Sequence, residues 1–461
     1  MKLRDYQIQA VDAFKNNHYI GIMNMATGTG KTFTSIAAVE EHYALKNRQF
    51  LVIIVPFIHL IPQWFENLQA ANITVDCSIF GARDKWYSEL YNLVWGYNHH
   101  IQNRVVVIGT YRSINTPLFK KILDKLNFQD SFLLADECHY FGAPNRRQNF
   151  FEKFSARLGL SATPARWWDP VGTSFIERLF DKEIFLYSME QAIDNFYLTP
   201  YEYHPIISRF SDSEMKKFDK LSKQISREMM SSVDSSELSD QAKKLLIFRS
   251  KLVKQATEKK ELLKRKLLTT NDHHYTLIYC TDKNEVNQIL KLLRSLNISA
   301  SRFDSDLTRS QREKILQQFA RGKVEILVAV KCLDEGVDIP ATKTAYFLAS
   351  TTNPREFIQR RGRILRQYPG KQNAVIYDFI VLPPADYYGE YAEKLVRHEL
   401  PRVYELNDSA MNKYMAREKL SRPLRRLQLE RYLDMSPQEI YEESQRESDG
   451  YGITKGNSSE N

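Results

Sequence analysis

Tyr19-Ile20-Gly21-Ile22-Met23-Asn24-Met25-Ala26-Thr27-Gly28-Thr29-Gly30-Lys31-Thr32 sets the reading of the whole chain. The run Tyr19–Met23 predicts a short buried strand, and the sequence from Lys31 onward predicts a helix. Between them, glycines let backbone N–H groups approach an anion closely, and the positive end of the helix favours negative charge. The loop therefore predicts a phosphate cradle formed by Thr27, Gly28, Thr29 and Gly30. Lys31 would reach the β- and γ-phosphates and Thr32 would hold Mg²⁺. The strict pattern has glycine five places before Gly30, where this chain has Met25. The competing reading is a glycine-rich turn that binds nothing.

The surrounding sequence repeats the strand-then-helix design. Apolar runs at Phe50–Val55, Val105–Ile108, Phe132–Ala135 and Arg157–Leu160 follow the first, with helical patterns between most of them. A second series lies at Tyr275–Tyr279, Ser301–Phe303, Val324–Val330, Thr344–Leu348 and Ala374–Tyr377. Short apolar strands separated by helices predict parallel sheets covered on both faces, so the fold class is α/β with two doubly wound lobes. The expected limits are residues 1–208 for the first lobe and 271–384 for the second. Residues 209–270 are expected as a basic helical hairpin, with Ser231–Ser239 as its turn. Residues 385–461 are expected as a helical extension with a disordered acidic tail from about Ser448.

Asp136-Glu137-Cys138-His139 directly follows Phe132–Ala135. A carboxylate at the C-terminal end of a parallel strand faces the crevice where such sheets bind ligands. Asp136 would orient the Mg²⁺ shell, and Glu137 would position and polarise an attacking water. Cys138 reads as a small buried residue, because this chemistry needs no covalent intermediate. His139 could equally be a packed interface histidine.

Composition narrows the class. The 461 residues carry 65 Lys+Arg and 56 Asp+Glu, a net +9, and are 43% hydrophobic and 26% charged. That composition fits a globular protein with ample core. The longest apolar stretch, Phe50–Leu60, contains Pro56 and His59 and is too short to span a bilayer. No signal peptide is expected, because no apolar segment follows the charges of Met1–Asp5. Cys77, Cys138, Cys280 and Cys332 are far apart, which excludes a disulfide scaffold and suits a reducing cytoplasm. Residues 209–270 hold 16 basic and nine acidic residues, so +7 of the charge sits in the expected hairpin. Residues 410–436 carry +4 and residues 437–461 carry −4.

The ordered set of short blocks resembles a superfamily 2 helicase or translocase. Leu3-Arg4-Asp5-Tyr6-Gln7 resembles the Q-motif, Ala26–Thr32 motif I, Ile54-Val55-Pro56 with Gln63-Trp64 motif Ia, and Gly109-Thr110-Tyr111 motif Ib. Asp136–His139 matches motif II in its DECH form, and Leu160-Ser161-Ala162-Thr163-Pro164 matches motif III. Leu277–Cys280 resembles motif IV, Asp334–Pro340 motif V and Gln359–Arg366 motif VI. The resemblance covers roughly residues 1–380 and implies two RecA-like lobes. It also implies an ATP site on the first lobe that the second completes.

By the same resemblance, Arg4 and Gln7 would read the adenine, and Gly336 and Asp338 would approach the sugar. Arg363 and Arg366 would act as arginine fingers, a device worth ~10³–10⁵ in rate. Arg360 and Arg361 could instead belong to a basic phosphate-binding surface. Ser161, Thr163, His139 and Gln359 would couple hydrolysis to the track. Pro56 (through its main chain), Thr110, Arg112 and Lys331 are the candidate nucleic-acid contacts, and binding without sequence preference is expected. Trp64, Trp167 and Trp168 read as packing residues, and the pairs His99-His100 and His273-His274 as structural or exposed.

Met25–Thr32 with DECH looks like the motors of type I and type III restriction enzymes and like excision-repair helicases. That likeness favours duplex DNA as the track in repair, restriction or antiphage defence, with RNA as the alternative. A chain starting at the Q-motif is expected to have no upstream nuclease, so any nuclease or other effector would be a separate protein. An ATP-gated clamp or sensor that recruits a partner would use the same residues. The +7 hairpin would grip the duplex, or would simply be a solvated face.

Overall fold

The computed structural model describes residues 2–81, 86–166, 169–231, 239–304, 306–330, 339, 341–349 and 354–444. The chain divides into two units, Met1–Tyr197 and Leu198–Asn461. The strands of the first unit are β1 (Ile20–Met25), β2 (Gln49–Val55), β3 (Cys77–Ile79), β4 (Arg104–Thr110), β5 (Ser131–Asp136), β6 (Ala156–Ser161) and β7 (Glu183–Tyr187). They form one sheet in the order β3-β4-β2-β5-β6-β1-β7, with every pairing parallel. The second unit contains β8 (Tyr201–Arg209), β9 (Thr276–Tyr279), β10 (Ala300–Phe303), β11 (Ile326–Ala329), β12 (Thr344–Phe347) and β13 (Ala374–Leu382). Its order is β10-β11-β9-β12-β13-β8, again parallel throughout.

Both sheets are the α/β architecture expected from the strand–helix alternation. Parallel strands need crossovers, and the crossover helices cover both faces, so the central strands are apolar along their length. β2 is buried at every residue. In the first unit Val52, Ile54, Leu133 and Val107 pack with Leu90, Phe119 and Phe141 in one continuous core. Parallel pairing also sends every strand's C-terminal end to the same sheet edge. In β1, β5 and β6 those ends are Met25, Asp136 and Ser161. β6 lies between the other two, with Asn24 opposite Ser161 and Asp136 opposite Leu160.

The expected boundary at residue 208 is corrected. β8 pairs with β13 from Tyr201–Ala374 to Arg209–Leu382, so it is an edge strand of the second sheet. Its Pro205 is tolerated because an edge strand has one unpaired side. The expected hairpin also differs. Helices Asp212–Ser231 and Asp240–Lys254 pair, but the second arm ends at Lys254 and the chain restarts as a third helix, Glu258–Leu268. Leu263 and Leu267 of that third helix pack under β9 with Ile278, so it belongs to the second lobe. The base of the hairpin packs as well: Phe210, Met215, Phe218 and Val253 meet Val381 and Leu395. Leu395 lies on helix Glu390–Asp408 of the extension, which is followed by helix Lys413–Arg426. The Ser231–Ser239 turn (from residue 232 to 238) and the expected acidic tail lie outside the described residues. None of the described helices is long and apolar enough to cross a membrane.

Candidate nucleotide site and motif VI helix

The phosphate loop is built as its glycines require. Gly28 and Gly30 have φ of 88° and 86°, a region that favours glycine. A Cβ on Gly30 would stand 2.8 Å from Gln7 Nε2. Helix Lys31–Lys46 starts at this loop and points its N-terminus at the cradle. Thr29 is fully buried and its hydroxyl donates to Ala26 O at 2.7 Å. Lys31 Nζ donates to Met25 O at 3.1 Å, folding back over the loop. Thr27 Oγ1 is buried and has no hydrogen-bond partner in the protein, as an atom reserved for a ligand would be. Those features fit a nucleotide phosphate, and Thr32 with Asp136 would hold its Mg²⁺.

Helix Asp5–Asn16 braces the loop. Tyr6 Oη donates to Thr29 O at 2.5 Å, and its ring stacks on Tyr187 at 4.0 Å. Gln7 is buried; its Oε1 accepts from Arg4 N at 3.0 Å and its Nε2 approaches Gly30 O at 3.5 Å. The expected base-reading amide is thus tied to the loop backbone. Arg4 is exposed, and its guanidinium lies over Tyr197 at 4.2 Å.

At the end of β5, Asp136 is held by a residue that sequence reading treated as packing. Trp64 Nε1 donates to Asp136 Oδ2 at 3.2 Å. Burial and the adjacent Glu137 carboxylate push Asp136 up to about 6, against the pull of the Lys31 ammonium and the Trp64 indole. Glu137 sits in the left-handed region at φ 51°, a strained conformation for a non-glycine residue. Tyr111 Oη holds that turn by donating to Asp136 O at 2.9 Å and Glu137 O at 3.2 Å. Beneath it, Cys138 is buried against Gly159 of β6, where a Cβ would meet Cys138 at 3.0 Å.

Glu137 Oε2 lies 3.3 Å from His139 Nδ1 and 3.4 Å from Ser161 Oγ. Ser161 Oγ is 3.2 Å from His139 Nδ1 and accepts from Thr163 N at 3.1 Å. Four expected residues therefore converge: Glu137, His139, Ser161 and Thr163. Arg166 Nη1 adds a bond to His139 O at 3.1 Å, and its Nε pairs with Asp169 at 2.8 Å. Arg166 had no isolating sequence signal; Trp64 and Tyr111 carried only their places in the motif Ia and motif Ib blocks.

In the second unit, helix Pro354–Ile364 carries motif VI. The surface reading of Arg360 and Arg361 is corrected. Arg360 is 2% exposed, donates to Ala349 O at 3.1 Å and lies over Tyr279 at 4.9 Å. Arg361 is 4% exposed and donates to Tyr201 Oη at 3.2 Å and to Glu405 O. Both tie the helix to its own unit. Gln359, Arg363 and Arg366 are half-buried. Arg366 pairs with Leu198, and Lys371 Nζ caps the helix end by donating to Ile364 O and Arg366 O.

The expected track contacts are mixed. Arg112 is exposed and Pro56 half-buried, but Thr110 is 4% exposed and its hydroxyl caps the short helix Tyr111–Ile114. Lys331, Gly336, Asp338, Trp167 and Trp168 lie outside the described residues. His99 stacks on Trp95 at 4.3 Å, and His274 pairs with Asp272 at 2.7 Å.

Two family descriptions match the chain. Residues 1–166 match "Type III restriction enzyme, res subunit", and residues 258–367 match "Helicase conserved C-terminal domain". The chain is 25% identical to "DNA 3'-5' translocase XPB2" of Sulfurisphaera tokodaii, over 84% of this chain and 83% of that one. Its fold is similar to the structure titled "ATP-dependent Type ISP restriction-modification enzyme LlaBIII bound to DNA" (TM-score 0.59, 18% identity), covering 88% of this chain. The match spans only 30% of that enzyme. The Pyrococcus furiosus Hef helicase domain is also similar, with TM-score 0.52 and 16% identity, over 82% of this chain and 95% of that one.

Proposed function

Because this chain is a superfamily 2 helicase, similar to restriction-enzyme motors and XPB-like helicases, we propose that it is an ATP-driven translocase acting on duplex DNA. The observation that carries the reading is the cluster at the end of β5 and β6. Glu137 is aimed by His139 and Ser161, beside a phosphate loop with an unpaired threonine hydroxyl. In this reading Lys31 and the loop amides bind the phosphates, and Glu137 holds and polarises the attacking water. Thr32 and Asp136 would hold Mg²⁺, which when bound would supply positive charge against the phosphoryl oxygens. Arg363 and Arg366 stabilise that same charge. Ser161 links the water-positioning carboxylate to the Thr163 segment, so a shift of that segment changes the aim of Glu137.

Duplex DNA is favoured because XPB2 is named a DNA translocase and LlaBIII is titled as bound to DNA. Lys243, Lys244, Lys251 and Lys254 of the hairpin's second helix would supply charge for phosphate contacts. We place the protein in a repair, restriction or defence role in the cytoplasm, working with a separate effector. Cys77, Cys138 and Cys280 are buried free thiols, which suits that compartment. The test is ATP hydrolysis measured with single- and double-stranded DNA and RNA. Duplex DNA should stimulate turnover most, and Lys31→Ala or Glu137→Gln should abolish it. Hydrolysis indifferent to every nucleic acid would overturn the reading.

A further inference from the structure

A buried lysine joins the basic hairpin to the segment that holds the motif VI helix. Lys259 opens helix Glu258–Leu268 and is 1% exposed. Its Nζ donates to Leu348 O at 3.0 Å and to Lys254 O at 3.4 Å. Lys254 is the last residue of the hairpin's second helix, and Leu348 directly follows β12. The next carbonyl, Ala349 O, accepts from Arg360 Nη1 at 3.1 Å. Arg360 stands one helical turn before Arg363. Leu348 N and Ala349 N both donate to Tyr279 O, and the Tyr279 ring also lies beneath Arg360. Two cations therefore clamp consecutive carbonyls of one peptide segment, one from the hairpin side and one from motif VI.

The other end of the hairpin is fastened to the same place. Glu214, in the first turn of helix Asp212–Ser231, is 6% exposed. Its Oε2 accepts from Ser211 N at 2.9 Å, and its Oε1 accepts from Thr257 N at 2.9 Å, two residues before Lys259. Both hairpin helices thus converge on the start of helix Glu258–Leu268. A tilt of the hairpin must move Lys259 or break these bonds, because a buried polar group left unpaired is costly.

We propose that Lys259 is a positioning residue that transmits the state of the helical hairpin, through the Leu348–Ala349 carbonyls and Arg360, to the helix that carries Arg363 and ends just before Arg366. It rests on the motor reading above and adds how track engagement reaches hydrolysis. The expected consequence is uncoupling: Lys259→Met should keep the ATPase rate without nucleic acid and the affinity for duplex DNA within about twofold. The DNA-stimulated kcat should fall by about tenfold, with the KM for ATP unchanged. Lys259→Gln, which keeps an N–H donor for Leu348 O, should recover part of the stimulation. A merely structural role would lower both rates together and would not respond to the restored donor.

The wild-type protein is assayed alongside. If wild type is stimulated by duplex DNA and folded Lys259→Met is stimulated equally, the coupling proposal alone is overturned. If wild type is not stimulated by any nucleic acid, the motor reading falls and this proposal with it. Should Lys259→Met fail to fold, Glu214→Ala cuts the same junction from the other side. It should uncouple in the same way, and full stimulation in that variant would overturn the proposal.

Discussion

Replacing Arg402 with methionine should weaken the second unit by about 3–5 kcal/mol at pH 7. Arg402 lies on helix Glu390–Asp408 and is 1% exposed. Its Nε donates to both oxygens of Asp378, at 3.1 and 2.9 Å, and its Nη2 donates to Glu399 Oε2 at 3.0 Å. Asp378 (0% exposed) and Glu399 (0% exposed) would lose their shared cation. Each keeps a protein donor: Tyr203 Oη for Asp378 at 3.0 Å, and Val381 N for Glu399 at 2.9 Å. Those neutral hydrogen bonds, with the His398 Nδ1–Glu399 Oε1 contact at 3.4 Å, do not replace a guanidinium that serves both groups, so two buried carboxylates remain undercompensated.

The pH dependence gives the prediction its sign. In the wild type, Arg402 holds Glu399 well below the usual carboxylate range despite complete burial. That depressed folded pKa contributes stability present above the unfolded value near 4.5, and lost as pH falls through the folded value. Without Arg402, burial prevails and both carboxyls shift upward, as Asp378 already does. The folded variant then binds more protons than its unfolded state. Its stability falls as pH rises through the raised values, so the deficit should narrow between pH 7 and pH 5. All five tryptophans lie at or before Trp168, so indole fluorescence reports only the first unit. Urea-dependent hydrogen exchange of the β13 amides is the suitable assay for the second. A deficit below about 1 kcal/mol, or one that does not change between the two pH values, would refute the reasoning.

Gly159→Ala should cost about 1–3 kcal/mol, because the new methyl meets Cys138 at 3.0 Å and Phe180 at 3.3 Å. It should also lower ATPase turnover by displacing the DECH turn; thermal unfolding and kcat measured together check this. Burial lowers Lys259 to about 8, so the unfolded state binds more protons between about 8 and 10.5. Wild-type stability should therefore rise relative to Lys259→Met across that window, by up to a few kcal/mol in paired urea titrations. Reversing the charges of Lys243, Lys244, Lys251 and Lys254 should weaken duplex binding. It should also flatten log K against log salt by up to ~0.9 per lost phosphate contact. An unchanged slope would mean that this face of the hairpin is only solvated.

Much of the nucleotide site was legible because its chemistry demands particular residue types at short spacing. Gly28 and Gly30 had to be glycine for their positive φ, and Lys31-Thr32 had to open a helix. Asp136 and Glu137 had to follow an apolar strand, and they end β5 as expected. The parts that were not legible depend on long-range contact. Trp64 reaches Asp136 across 72 positions of sequence, and Tyr111 reaches it across 25. An aromatic side chain has the same sequence signature whether its polar atom meets a carboxylate or water. The surface alternative for Arg360 and Arg361 stood open for a related reason: four arginines in seven residues look like a surface until two of them are buried against Tyr279 and Tyr201.

By itself the sequence determined two parallel α/β sheets, a phosphate loop after the first strand and a carboxylate pair at the end of another. Strand burial, loop conformation and helix starts are local properties, written in periodicity and in residue type. Tertiary structure alone decided which sheet owns Tyr201–Arg209, because edge pairing with β13 depends on a partner 173 residues away. It alone decided that helix Glu258–Leu268 is lobe rather than insertion, through Leu263 and Leu267 against Ile278. And it alone turned Lys259, one basic residue among the 16 in its segment, into a buried tie to Leu348. A charge run looks the same whether its members face solvent or carbonyl oxygens; only packing separates the two.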